Sequence, residues 1–265
     1  MTKKIYVIGN NVSKSLSPLI FNYWFKKKKI DAFYGYKEIN KNDFDENISN
    51  ILLEKNLLGL NVTIPFKEIM VKKIKKIDKH AINIGAINCV IKKNNSWEGT
   101  NTDWIGFLDS VNEKNKEIKK NNVIVIGYGG AAKAIIYALQ QDGYKKIMIF
   151  NRTYEKIKNL KESDNLYPIK KEELLKKIKN SDMVVNTTPS NPLKNSIFTT
   201  TSNTISYDAV YKPKETDFLS HFEKNKRVYG ISMLLHQAIP CFERWFGITP
   251  KIDDELIGLL DNYIK

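Results

Sequence analysis

At 265 residues and 42% hydrophobic content, the chain is long enough to bury a real core, in one large or two modest domains. It contains no run of about 18 apolar residues, which argues against a membrane-spanning helix, and its two cysteines, Cys89 and Cys241, make neither a disulfide framework nor a zinc set. The net charge of +14 invites a nucleic-acid reading, but the lysines fall in short scattered runs (Lys26–Lys29, Lys72-Lys73, Lys119-Lys120, Lys176-Lys177) with no aromatic stacking platform among them, so they read as solvated helix faces.

Met1-Thr2-Lys3-Lys4 runs straight into Ile5-Tyr6-Val7-Ile8, a first strand that stops at Gly9 and leaves no room for a signal peptide; the cytoplasm is the expected compartment. A polar loop follows with Ser13, Ser15 and Ser17 before Pro18. Ser17 suits an N-cap and Pro18 a first helical residue, and the helix continues through Leu19, Ile20, Tyr23 and Trp24. Ser15 has no capping duty in this pattern, so the Ser15–Ser17 pair is expected to present two hydroxyls to a carboxylate. Phe33–Ile39 reads as a second strand and Phe44–Leu53 as an amphipathic helix. Leu57–Ile64 is a third strand of alternating character that Pro65 ends, because proline has no N–H to donate. Asn61, Thr63 and Lys67 then project together from a strand end, where α/β folds put ligands; an amide, a hydroxyl and an ammonium suit a polyhydroxylated anion. A Lys-rich helix is expected over Glu68–Lys76, a strand over Gly85–Ile91 entered through small residues, and a helix from Asp103 through Ile105, Phe107, Leu108 and Val111, with Thr102 or Asp103 as its N-cap and Thr102 the better fit.

The basic stretch Glu113–Asn122 makes a plausible boundary, and a new pattern starts after it. Asn122–Gly127 is a wholly apolar strand of the kind found in buried parallel sheets. It breaks at Gly127-Tyr128-Gly129-Gly130-Ala131-Ala132 and resumes as a helix, and Lys146–Phe150 completes a βαβ unit. The glycine loop has Ala132 in the third G-x-G-x-x-G position, a residue small enough for close helix–strand packing, and the amides at the helix start suit a pyrophosphate. One strand later an NAD site needs a carboxylate for the ribose hydroxyl; here Asn151-Arg152-Thr153 and then Lys156 offer a guanidinium and an ammonium instead, which fits the 2′-phosphate of NADP. Further strands at Asp182–Asn186 and Thr204–Val210 alternate with helical patterns at Tyr154–Leu160, Glu172–Ile178 and Thr216–Glu223, which means a doubly wound sheet. A helix starts near Ser232 with a kink expected at Pro240, and a last helix over Asp253–Tyr263 is placed to return to the first domain.

With both halves laid out, the chain resembles the shikimate dehydrogenases over nearly its whole length. The matching pieces are Ser15-Leu16-Ser17-Pro18, Asn61–Lys67, Gly85-Ala86-Ile87-Asn88, Asn101-Thr102-Asp103, Gly127–Ala132, Asn151-Arg152-Thr153, Asn186-Thr187-Thr188-Pro189, Asp208-Ala209-Val210-Tyr211 and Met233–Ala238. The resemblance implies an α/β protein with an N-terminal substrate domain (1–104 with 239–265) and a Rossmann-like NADP-binding domain (105–238). It implies reversible NADP-dependent reduction of 3-dehydroshikimate to shikimate, with small-molecule partners, no nucleic acid, no membrane and no metal. Oligomeric state is not legible, and a homodimer is carried as the expectation.

By the same resemblance Ser15, Ser17 and Tyr211 hold the substrate carboxylate, and Thr63, Lys67, Asn88, Asp103 and Gln237 surround its ring oxygens. Asn151, Arg152, Thr153 and Lys156 hold the adenosine phosphate end, the loop Gly127, Tyr128, Gly129, Gly130 and Ala131 the pyrophosphate, and Thr187 and Gly230 lie towards the nicotinamide with Met233 nearby. Lys67 is the expected proton donor and charge stabiliser at the reacting oxygen, and Asp103 orients it. The chain departs from the family pattern at Asn191 and Ser232, where glycine is usual, both near the cofactor. The rival readings are an NAD-using quinate/shikimate dehydrogenase, which Arg152 speaks against, and a nucleotide-binding protein without catalysis, which Lys67 and Asp103 speak against.

Overall fold

The computed structural model describes residues 1–114, 118–161, 164–198, 200 and 203–265. It divides into two compact units, Met1–Thr102 with Gln237–Asp261 and Asp103–His236 with Asn262–Lys265. Part of the Glu113–Asn122 stretch expected as a boundary lies outside the described residues; the first crossing falls earlier, between Thr102 and Asp103.

In the first unit β1 (Lys3–Gly9) leads through α1 (Ser17–Lys28) to β2 (Ala32–Glu38), and α2 (Phe44–Leu52) leads to β3 (Leu57–Val62). Then come β4 (Lys76–Ile77), α3 (Lys79–Ile84), β5 (Cys89–Lys93) and β6 (Ser96–Thr100). The strands form one sheet in the order β2-β1-β3-β5-β6-β4. β1 runs parallel to both β2 and β3, whereas β5 runs antiparallel to β3 and β6. Because the chain leaves β1 for β2 on one side and returns to β3 on the other, the carboxyl ends of β1 and β3 form a topological switch point, where open α/β sheets bind ligands.

Three expectations fail in this unit. β3 ends at Val62, Ile64 is 61% exposed, and the strand is buried on both faces rather than alternating. Leu60 and Val62 pack with Phe44 and Phe66 on one side, and Asn61 meets Cys241 on the other. The Lys-rich stretch makes only a short 3₁₀ turn over Ile69–Lys72; its end pairs with β6 as β4, so sheet pairing overrides the helical spacing of buried Met70 and Ile74. The small residues before β5 close a helix rather than open a strand: Gly85, at φ 71°, is the left-handed cap of α3 and donates to the Ala81 carbonyl.

The second unit starts with α4 (Asp103–Lys114), β7 (Asn122–Ile126), α5 (Gly130–Gln141) and β8 (Lys146–Phe150). β9 (Leu166–Ile169), α6 (Lys171–Ile178), β10 (Met183–Asn186), β11 (Ile205–Asp208), α7 (Asp217–Ser220) and β12 (Arg227–Tyr229) follow. All neighbours are parallel, in the order β12-β11-β10-β7-β8-β9, the doubly wound arrangement with its switch point between β7 and β10. β9 was absent from the sequence pattern, and Tyr154–Leu160 yields only a 3₁₀ turn at Tyr154–Lys156. Tyr154, Ile157 and Leu160 still touch the core, which is what mimicked a helix.

α8 (Gly230–Phe246) starts two residues before Ser232, contains Pro240, and carries the chain from the second unit to the first between His236 and Gln237. α9 (Asp254–Asp261) belongs to the first unit, where Tyr23 and Lys27 of α1 bond Asp253 at 2.7 and 2.6 Å. Among the described residues no helix is long and apolar enough to cross a membrane.

Candidate functional site

In the first unit the functional side chains gather at the switch point because the loops that follow β1 and β3 are locked together. The Asn10 amide donates to the Ile64 carbonyl at 3.0 Å and the Thr63 amide to the Ile8 carbonyl at 2.9 Å. Thr63 and Lys67 are half-buried on the loop after β3. Phe66 between them is fully buried, stacked on Phe44 at 4.5 Å, and the Lys67 carbonyl accepts the Ile87 amide at 2.8 Å, so the loop is held by its backbone and one aromatic anchor. Since β5 runs against β3, Asn88 just before β5 and Thr102 just after β6 come to the same edge.

Behind that edge lies a chain of buried polar groups. The Tyr34 hydroxyl donates to Asn61 Oδ1 at 2.6 Å, and Asn61 Nδ2 donates to the Asn88 carbonyl at 3.0 Å and to Cys241 Sγ at 3.2 Å. Burial holds the Tyr34 phenol well above its ordinary range, and burial likewise pushes the Cys89 thiol up, so both remain protonated at neutral pH.

Three expectations change. Asn61 is a core residue whose amide is committed to Tyr34, Asn88 and Cys241. Ser17 does not cap α1: it is the first residue of the helix, and the Ser15 hydroxyl accepts its amide at 3.2 Å. Thr102, expected as a simple cap, instead bonds Asn88 through both its amide and its hydroxyl, at 2.7 and 2.9 Å. Gln237, also buried, faces Asn88 with its Oε1 at 3.2 Å.

The second unit carries a nucleotide-type site at its own switch point. Gly127 ends β7 at φ 107°, and a Cβ there would sit 2.3 Å from Thr187 Oγ1, so only glycine fits. The Thr187 hydroxyl donates to the Ile126 carbonyl at 2.7 Å, which ties the loop after β10 to the end of β7. Gly129 and Gly130 begin α5, whose unpaired first amides suit an anion, with buried Ala132 against the sheet and Tyr128 and Ala131 half-buried beside them.

A cavity of about 460 Å³ opens next to this loop, lined among others by Gly127, Asn151, Arg152, Tyr154 and Lys170. Asn151 Nδ2 donates to the Thr153 carbonyl at 2.8 Å and sets the turn that presents exposed Arg152. Thr153 and Lys156 lie on that turn and do not line the cavity. None of the Asn151-Arg152-Thr153 residues is acidic, and the donor set fits a dinucleotide carrying an extra phosphate.

Of the remaining expected residues, Asp103 is buried at the start of α4 and Tyr211 is half-buried after β11. Gly230 has a packing reason of its own, because a Cβ there would lie 2.7 Å from the carbonyl oxygens of Asp208, Ala209 and Val210. Met233 packs into the hydrophobic core of the unit. Asn191 Oδ1 accepts the Leu193 amide at 2.9 Å, and the Ser232 hydroxyl donates to Glu113 at 2.9 Å.

The sequence reading passed over Asp208 as a functional group. Its carboxylate accepts from Thr216, Asn186 and the Val210 amide at 2.6, 3.1 and 3.0 Å, and burial raises its pKa against the pull of those bonds. The signal available for it was a carboxylate ending an otherwise apolar strand.

Residues 7–90 match the family model of the shikimate dehydrogenase substrate binding domain, and residues 109–207 match that of shikimate / quinate 5-dehydrogenase. The chain is 37% identical to a shikimate dehydrogenase (NADP(+)) of Nitrosopumilus maritimus, over 99% of this chain and 100% of that protein. Its fold is similar to the crystal structure of shikimate dehydrogenase from Aquifex aeolicus, with a TM-score of 0.83 and 33% identity over 94% of both chains. A quinate dehydrogenase from Corynebacterium glutamicum in complex with NAD superposes with a TM-score of 0.86 at 23% identity, a likeness of fold alone. Two family models that between them take in most of the sequence, and near full-length identity above a third, lead to one conclusion: the chain belongs to the shikimate dehydrogenase family.

Proposed function

We propose that this protein catalyses the reversible NADP-dependent interconversion of 3-dehydroshikimate and shikimate, with the substrate held by residues of the first unit and the cofactor by the second. The observation that carries the reading is the set of alcohol, amide and ammonium groups of Ser15, Thr63, Lys67, Asn88 and Gln237 in a unit whose near full-length relative is a shikimate dehydrogenase. A hydroxylated cyclic acid needs many directed hydrogen bonds, and a site built to supply them rejects analogues lacking a hydroxyl, because its own buried polar groups go unpaired. Ser15 offers its O–H hydrogen to the carboxylate, as its oxygen already accepts the Ser17 amide. Ser17 and Tyr211 are the other residues proposed for the carboxylate.

Bound NADPH supplies the hydride that reaches the ketone carbon. The protein's task is the other half of the reduction, since the oxygen left negative must be stabilised and protonated. Lys67 is assigned both roles, its ammonium countering the developing charge and its proton passing to the oxygen, with the reverse transfer in oxidation. Asp103 is assigned to orientation. Gly127, Tyr128, Gly129, Gly130 and Ala131 would hold the pyrophosphate, Asn151, Arg152, Thr153 and Lys156 the adenosine phosphate, and Thr187, Gly230 and Met233 would lie towards the nicotinamide. The same reading carries a cytoplasmic enzyme and a homodimer, the latter measurable by light scattering.

The test is nicotinamide absorbance with shikimate or quinate against NADP⁺ or NAD⁺. Rapid reduction of NADP⁺ by shikimate, with little from NAD⁺ or quinate, is expected. Preference for NAD⁺ and quinate would move the protein to the broader-specificity relatives, and no turnover with any pair would overturn the enzymatic reading.

A further inference from the structure

We infer that Asp208 is a positioning residue of the nucleotide-type site: its carboxylate holds the Asn186 side chain, which in turn holds the 187–190 loop where it lines the cavity. The inference rests on the proposed reading of that cavity as the cofactor site, and it assigns the group that sets one wall of it.

The register of the sheet brings the two side chains together. Asn186 and Asp208 are the last residues of the parallel neighbours β10 and β11, paired with each other and each 1% exposed. On its other side Asn186 pairs with Ile126, the residue before Gly127, so the two stand at the switch point of this sheet. A carboxylate at that depth is costly unless donors surround it. Three do. Asp208 Oδ1 accepts from Asn186 Nδ2 at 3.1 Å and from the Val210 amide at 3.0 Å, and Oδ2 accepts from the Thr216 hydroxyl at 2.6 Å.

Asn186 passes that anchorage on to the loop. Its Nδ2 has two hydrogens, one for Asp208 and one for the Thr188 carbonyl at 3.1 Å. Its Oδ1 accepts the Thr188 amide at 3.0 Å, and the Thr188 hydroxyl, 2.7 Å from that oxygen, also lies 2.9 Å from the Ser190 carbonyl. One side chain therefore grips the Thr188 backbone by both its N–H and its C=O. Among the described residues Asp208 is the one partner of the Asn186 amide outside the loop. Without the carboxylate, one Asn186 hydrogen has no acceptor, and the amide can reach another only by turning away from Thr188. Thr188 and Ser190 line the same cavity as Gly127, Asn151 and Arg152, so a loop released at Thr188 changes the shape of that cavity.

The test is NADP⁺ affinity by fluorescence titration, read beside the urea unfolding midpoint. Asp208→Ala removes all three bonds and should weaken NADP⁺ binding about tenfold. Asp208→Asn keeps an oxygen in the place of Oδ1, and its Nδ2 can donate to Thr216 Oγ1, so affinity should stay within about twofold of wild type. Thr216→Val takes away the Oδ2 bond and the cap of α7 but leaves Oδ1 alone; it should lower the midpoint without changing NADP⁺ affinity. Backbone amide exchange by NMR reads the loop with no cofactor present: the Thr188 amide should be protected in wild type, Asp208→Asn and Thr216→Val, and exchange faster in Asp208→Ala. Unchanged affinity or a protected Thr188 amide in Asp208→Ala overturns the inference. So does Asp208→Asn as impaired as Asp208→Ala, or Thr216→Val losing affinity in step with stability. A wild type that binds no NADP⁺ sinks the cofactor reading instead, and Thr188 exchange then decides by itself whether Asp208 holds the loop. Should Asp208→Ala fail to fold, Asp208→Ser carries the same measurements, because its hydroxyl can still accept the Val210 amide but is too short to reach Asn186.

Discussion

Replacing Tyr34 by Phe isolates the buried polar chain behind the proposed substrate site. The ring stack on Phe21, at 4.4 Å between centroids, survives the change; only the hydroxyl is lost. That hydroxyl donates to Asn61 Oδ1 at 2.6 Å. Tyr34 and Asn61 are 1% and 6% exposed, so water cannot replace the bond in place. The change leaves one buried polar atom, Asn61 Oδ1, short of its donor, which costs about 1–3 kcal/mol. Urea unfolding followed by tryptophan fluorescence reads it, because Trp245 lies 6.2 Å from Tyr34 and Trp24 sits in the same aromatic cluster. The midpoint should fall with the slope unchanged, since no extra surface is exposed in either state. NADP⁺ affinity, a property of the second unit, should not move. A Tyr34→Phe protein within about 0.5 kcal/mol of wild type would refute the reasoning, for it would mean that the polar chain is not maintained in solution.

The remaining predictions address chemistry, cofactor choice and acid stability. Lys67→Ala should lower kcat by about a hundredfold or more with a smaller change in KM, the signature of a group acting in the transition state; steady-state kinetics with unimpaired turnover would remove Lys67 from the mechanism. Arg152→Ala should weaken NADP⁺ binding, measured by fluorescence titration, and flatten its salt dependence while sparing NAD⁺, and an unchanged preference between the two cofactors would show that the 2′-phosphate is held elsewhere. The Lys27 ammonium, aided by the Tyr23 hydroxyl, holds the Asp253 carboxyl down to about 2. A carboxyl lowered in the folded state contributes stability that is present above its unfolded value of about 4 and lost as pH falls towards 2. Acid should therefore loosen the attachment of the segment before α9 to α1 in that window, only weakly because the pair is exposed, and Asp253→Asn should erase the pH dependence of amide exchange there.

Most of the second unit was legible because its signals are local. An apolar strand, a glycine turn and a helix follow one another in sequence as they do in space, and Arg152 sits directly after the strand that positions it. In the first unit the ends of β1 and β3 were legible as loop positions, and what supports them was not. Thr102 looked like a cap because threonine before a helix usually is one, and nothing near it in sequence shows that Asn88, fourteen residues back, takes both of its polar groups. Tyr34 looked like an ordinary strand aromatic, and its partner Asn61 is twenty-seven residues away. The misread Glu68–Lys76 helix has the same origin. Buried Met70 and Ile74 have helical spacing, but the segment ends by pairing with β6, a contact between residues far apart in the chain.

The two units solve the same geometric problem in the same way. At each switch point a glycine ends or directly follows the first strand, and the space a Cβ would fill is taken by a threonine from the loop of the neighbouring parallel strand. A Cβ on Gly9 would lie 2.5 Å from Thr63 Cγ2, and one on Gly127 would lie 2.3 Å from Thr187 Oγ1. Both threonines are proposed ligand residues, one towards the substrate ring and one towards the nicotinamide. The dinucleotide turn explains Gly127 by its left-handed φ, but Gly9 needs no such conformation, and in the sequence it reads as no more than a strand stop. What the pair shares is close approach. A side chain at either position would push the adjoining loop outward by a large fraction of an ångström, and a proposed ligand group with it, a shift large enough to matter for oriented hydrogen bonds and hydride transfer. On this view each glycine sets where a threonine hydroxyl can be, and its importance to the site lies in a contact that its own sequence neighbourhood does not reveal.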